Sequence, residues 1–320
     1  GMLLQLRQGN YAPAVRTALE CLRTFGVDLP DSPTPEQMRA EYEEMRRALG
    51  DRPIESLVDL PMMDDPEMRA VMKLFGALGE LAYHADGDLF QMISCWMVKL
   101  SCRHGTSEYS TIGYGAIAVV LGPAFHRFAD GEAFARLAVA VAERYGFTAQ
   151  KAGAHFLMQM AVLWTRPIED ALSCLEAAIR SVAETGEMVY ACFNRQHRLT
   201  DLMARGDPLD QVWLESAGAL DFVRKYKFGQ LVILSLQDFV QSLRGGVGSG
   251  APLDEAALEA RVLRGGVPLV ACFHWILQLQ RHVLLGNAER ALEFAAKAKP
   301  ILWSARLNLQ SMDYTSLRKR

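Results

Sequence analysis

The chain has 320 residues, half of them hydrophobic and 22% charged, with a formal net charge of -3. That size supports a large buried core, and the near-neutral balance excludes a strong electrostatic pull on DNA, RNA or anionic lipid. Apolar runs such as Ala116 to Leu121 are far too short to span a bilayer and no secretory leader is legible, so no membrane insertion and a cytoplasmic location are expected.

Gly1 before Met2 reads as an expression remnant. Met2 to Leu6 already reads as helix, so the sequence is expected to be a piece of a longer protein. Residues 8–26 form the next helix, with Ala14, Ala18, Cys21, Leu22 and Phe25 on one face and Gly26 as its left-handed cap. After a Pro-rich link, Thr34, Pro35 and Gln37 have the order of a capping box that opens a charged helix to Leu49. Glu43 and Arg47 are spaced for an i,i+4 pair, and the few apolar residues predict packing by one thin stripe. Asp65 and Pro66 open a helix to about Ala85.

From there the pattern is regular. Gly105, Gly146, Gly186 and Gly229 recur at intervals of 41, 40 and 43 residues, each closing one helix-like stretch and preceding another. Residues 134–145 place Phe134, Leu137, Ala138, Val141, Ala142 and Tyr145 on one wide apolar face. Leu172, Leu175, Ile179 and Val182 repeat the pattern, and Asp207-Pro208 open the next helix. The glycine-rich stretch from Arg244 to Leu253 reads as a surface loop. Helices follow over 254–263, 268–285 and 287–303, and residues 312–320 look like a helix cut short. A period of this size marks a helical-repeat array. The expected fold is all-α: an α-α superhelix, a right-handed solenoid of antiparallel helix pairs. The whole of 1–320 is expected to form one helical-repeat domain. It divides into an irregular hairpin and linker (1–65), regular repeats of about 41 residues (66–244), and a loop with final helix pairs (245–320).

Chemical signatures are sparse. The glycine-rich stretch lacks the Lys-Ser/Thr of a phosphate loop, and no nucleophile elbow, zinc-protease pair or kinase catalytic loop occurs. The seven histidines never share three- or four-residue helical spacing, and the six cysteines form no C-x-x-C pair. The cysteines read as buried free thiols, the histidines as isolated interface or surface residues. No catalytic residue, metal or cofactor is expected. One pattern stands out: nine residues after each boundary glycine come Tyr114, His155, Arg195 and Asp238, a polar row that would line a groove facing a peptide, a small effector or another domain. The segment Asn194 to Arg198 also crowds polar groups into one helix, as on a solvated or groove-facing side.

The turn-and-Ala openings QGNYAPA and LGNAERA resemble those of tetratricopeptide repeats, although the 34-residue consensus is absent. The ordered set LRTFGVDLPDSPTPEQ, IESLVDLPMMDDPEMRA, LSCRHGTS, the passage from RPIEDALSCL to GEMVYA, and GNAERALEFAAKAKPILW is similar to the helical region of large bacterial multidomain kinases. Those proteins join a serine/threonine-kinase-like domain, an AAA-type ATPase, this region, a GAF domain and often a histidine kinase. The resemblance implies a non-catalytic interaction, sensor or coupling region in signal transduction of the two-component type. Its partners would be other domains of the same polypeptide or separate proteins. The alternative is the effector-binding solenoid of an ATP-dependent transcriptional regulator.

Overall fold

The computed structural model describes residues 11–226, 229–245 and 254–317. The helix expected over Met2 to Leu6, the loop over 246–253 and the basic end Arg318 to Arg320 lie outside them. Among the described residues every regular element is helical, and one isolated β-bridge joins Met62 to Thr106. No helix among them is long and apolar enough to cross a membrane. Contacts divide the chain into two compact units, Gly1–Glu187 and Met188–Arg320.

The first unit contains α1 (Tyr11–Thr24), α2 (Pro35–Leu49), a 3-10 helix η1 (Ile54–Asp59), α3 (Pro66–Ala85), α4 (Gly87–His104), α5 (Glu108–Phe125), α6 (Phe128–Arg144), α7 (Thr148–Val162) and α8 (Ile168–Thr185). The local reasons are those the sequence carries. Thr34 and Gln37 form the reciprocal capping box of α2, and Asp65 accepts from the first amides of α3 with Pro66 at the first helical position. Met38, Tyr42 and Met45 are the thin buried stripe of α2. The expected Glu43–Arg47 pair does not form; Arg47 turns to Glu44 instead, 4.0 Å away and one residue nearer in the chain.

Helices pack on their neighbours in chain order. α3 lies on α4 and α5, α4 on α5, α5 on α6 and α7, and α7 on α8; α1 rests on α3, and α2 on α4. The glycine ruler holds at the level of the backbone. The interval Gly105–Gly146 contains α5 and α6, and Gly146–Gly186 contains α7 and α8. All four glycines have positive φ, between 66° and 99°. The predicted face of α6 is buried from Phe134 to Ala142, while Tyr145 reaches sideways.

α5 is covered on every side, from Gly113 to Gly122 without a break. Glycine makes this possible: a methyl at Gly113 would lie 2.6 Å from the Cβ of Met97, and one at Gly131 of α6 would lie 2.7 Å from the carbonyl oxygen of Ala118. Small residues thus let α4 and α6 approach α5 at backbone distance.

Residues 53–63 cross the ends of these helices as a strap. Thr106 N donates to Pro61 O and Met63 N to Thr106 O, both at 2.7 Å. Tyr145 Oη donates to Leu60 O at 2.9 Å, Arg144 pairs with Asp59 at 2.7 Å, and Leu57 is fully buried beneath. Beside the strap, Lys99 of α4 is buried and pairs with Glu41 (2.5 Å) and Glu44 (3.1 Å) of α2.

Glu132 clips α6 to the α7–α8 turn. Its Oε1 accepts from Arg136 Nη2 and Arg166 Nη2, both at 2.8 Å. The bond from Arg166, then the one from Arg136, outweighs partial burial and holds the carboxyl at about 2. The folded value lies below the unfolded one, so this contribution is complete above about pH 4.5 and is lost as pH falls through about 2. Both guanidinium groups are about half exposed, and solvent screening leaves about 1–2 kcal/mol. Glu132→Gln should cost that amount near neutrality, with a smaller gap in acid. Urea unfolding at two pH values reads it, and an equal gap at both rules the clip out.

The second unit contains α9 (Met188–Arg205), α10 (Leu209–Tyr226), α11 (Gln230–Leu243), α12 (Glu255–Gly265), α13 (Pro268–Leu284), α14 (Ala288–Ala298), a 3-10 helix η2 (Lys299–Ala305) and α15 (Gln310–Leu317). α9 and α10 fill the interval before Gly229. α10 starts one residue later than expected, and the Asp207 carboxylate is held by Arg205 at 2.6 Å. α13 is the central helix, packed by α11, α12, α14, η2 and α15. The helix expected over 287–303 tightens at Lys299, because Pro300 has no amide hydrogen to continue the α pattern.

Candidate functional site

The four row residues stand at equivalent places on α5, α7, α9 and α11, yet their surroundings differ. Tyr114 is fully buried in the first unit, its ring 6.1 Å from that of Phe134 and its hydroxyl beside Ser101 and Thr106. Burial pushes its phenol well above the ordinary range. His155, in the same unit, is half-buried. Burial lowers its imidazole, Glu143 opposes this, and Arg180 and Lys151 add to it.

In the second unit Arg195 is half-buried, with its guanidinium 3.5 Å from the centroid of Phe222 and Nη1 donating to Ala191 O at 3.1 Å. Burial lowers its basicity. Asp238 is 6% exposed. Its Oδ2 accepts from Gln278 Nε2 at 2.8 Å and from Arg281 Nη1 at 3.3 Å. Burial still raises its carboxyl, against the bond from Gln278 and the charge of Arg281.

A groove row needs all four side chains open to a partner. Tyr114 and Asp238 are closed off, because α5 and α11 are covered by neighbouring helices at that position; only His155 and Arg195 keep part of their surface open. The polar segment of α9 is likewise not solvated throughout. Asn194 is 0% exposed, and Gln196 is buried with its Nε2 donating to Gly229 O at 3.2 Å. Two histidines expected at surfaces or interfaces, His84 and His274, are buried.

The densest polar constellation lies away from any motif in the sequence. Asp238 bonds Arg281, which reaches Glu255 at 3.2 Å. Arg290 links Glu255 (3.4 Å) to Glu293 (2.5 Å), and Lys297 links Glu293 to Glu259, both at 3.0 Å. The chain of charges ties α11, α12, α13 and α14 together. Its sequence signal is His274, Gln278 and Arg281 at i, i+4 and i+7 inside an otherwise apolar helix. The acidic partners of Arg281 lie 26 and 43 residues before it, and no spacing rule reaches them.

Its charges are paired: each of its cations faces a carboxylate. Ser235 Oγ lies 2.9 Å from His274 Nδ1, the distance of a nucleophile and its base. Both residues are at or below 1% exposure and the Ser235 hydroxyl donates to Leu231 O, so no substrate reaches an activated oxygen. Among the described residues no group of three or more His, Cys, Asp or Glu side chains is placed to hold a metal ion. Comparison with family models, with curated proteins and with solved structures gives no match for this chain.

Proposed function

We propose that this chain is a right-handed, tetratricopeptide-like solenoid and a non-catalytic interaction, sensor or coupling region of a bacterial multidomain signal-transduction protein. The observation that supports this reading most is the order of the helices. Three successive glycine intervals each hold one helix pair, and the helices within each unit pack on their neighbours in sequence. Such an array offers surface rather than a catalytic pocket. A partner would act by binding one arrangement of the helices more tightly than another. The kinase-type context rests on the sequence resemblance alone.

The test is to read the coding frame on both sides of the chain, then measure binding of the chain to the encoded neighbours by calorimetry. Kinase-like, AAA-type ATPase, GAF or histidine-kinase neighbours that bind it support the reading. A DNA-binding helix-turn-helix neighbour moves it to an effector-binding solenoid of a transcriptional regulator. Substrate turnover by the chain alone sinks both.

A further inference from the structure

The second unit holds a buried imidazole whose tautomer is fixed by its neighbour. Ser235 Oγ donates its only proton to Leu231 O at 2.9 Å. With the serine proton on that carbonyl, His274 Nδ1, 2.9 Å from Ser235 Oγ, is the donor of their bond. The proton of the neutral ring therefore sits on Nδ1, and Nε2 is a bare lone pair. That atom is buried and accepts no hydrogen bond among the described residues, and the residue is 0% exposed.

We propose that His274 is a proton-operated pin: uptake of one proton at Nε2 loosens α13 from α11 and opens this part of the second unit. A proton there would make a cation whose buried new donor meets no acceptor among the described residues, and such a group is costly to keep buried. The elements around α13 offer it little. From α11 come Ser235, whose oxygen is already engaged, and Asp238, which is held by Gln278 and Arg281. From α12, Glu259 favours the charged ring; from α14, Lys297 opposes it, and these two pair with each other at 3.0 Å. On α15, Asp313 bonds Gln280, and no charged group of η2 acts on the ring. Separation of the helices, which admits water, is the available relief.

The sign follows from the folded ring being held down to about 4 by burial, below the ordinary histidine value of 6.5. Above 6.5 neither state takes up the proton. Between 6.5 and about 4 the opened state binds it and the closed state does not. The opening equilibrium therefore rises by up to about tenfold per pH unit.

Native-state hydrogen exchange on the full chain, corrected for intrinsic rates, tests this at about pH 7 and about pH 5. Amides of α11 and α13 should lose at least about tenfold in protection. His274→Asn keeps an N–H donor near the Nδ1 position and does not titrate, so the loss in these two helices should disappear. Nitrogen NMR of the histidines in the unmodified chain reads the tautomer directly and needs no variant. An Nε2–H tautomer, or the same acid loss in His274→Asn, overturns the pin. If that variant does not fold, co-titration of His274 with exchange of α13 decides: separate midpoints overturn it, coincident ones support it.

Discussion

Gly105→Ala should lower the unfolding free energy by about 3 kcal/mol or more, the sum of a backbone and a packing penalty. Gly105 has φ 99° and ψ -176°, a region that side chains with a Cβ essentially do not enter. Its Cβ would also stand 2.4 Å from Pro61 O and 3.2 Å from Met63 N, both backbone atoms of the strap. The carbonyl cannot step back without breaking the bond it accepts from Thr106 N. Gly146 isolates the two penalties. It has φ 66° and nothing within 4 Å of where a Cβ would stand, so Gly146→Ala carries only the left-handed backbone cost, about 1–2 kcal/mol. Urea unfolding of both variants reads the difference. Equal losses would show that the strap does not confine Gly105.

Lys99→Met should cost about 3 kcal/mol or more, since it leaves a carboxylate buried beside α4 without its cation. The Lys99 side chain is 2% exposed and that of Glu41 is 11% exposed. The ammonium also lies 3.5 Å from the centroid of Trp96. The two carboxylates respond in opposite directions. Burial raises Glu41 despite the bond from Lys99, whereas the bond from Lys99 lowers the more open Glu44. Glu41 is thus the group that depends on the cation to stay charged. Adding Glu41→Leu to Lys99→Met should recover most of the loss, because a buried ion pair is often replaceable by apolar side chains of similar volume. Thermal melts of the single and double variants measure this. A single variant within about 0.5 kcal/mol of the parent, the range of ordinary surface changes, would falsify the dependence.

The helices were legible because their signals are local. Thr34 with Gln37, Asp65 with Pro66, and a glycine at each period act within one turn, and all are realised. The face from Phe134 to Ala142 followed from helical periodicity in the same way. The surroundings of the polar row were less legible, because the third dimension decides them. Tyr114 and Asp238 are polar residues in apolar helices, and the sequence assigns such residues to a surface. In the fold they meet Ser101 and Thr106, and Gln278 and Arg281, partners supplied by other segments of the chain. The roles of Lys99 and His274 were hidden for the same reason: Glu41 and Ser235 become neighbours only when the helices pack.

The strap has a consequence for the time course of folding. Most contacts in the first unit join helices adjacent in the chain, which favours fast assembly from short-range pieces. The bonds from Tyr145 to Val58 and Leu60 close loops of 87 and 85 residues, and the entropy of closing them is recovered only once both ends are structured. Residues 53–63 should therefore dock after α4, α5 and α6 have assembled. Pulse-labelled exchange would show the Thr106 and Met63 amides gaining protection after the interior of α5, and simultaneous protection would contradict this order.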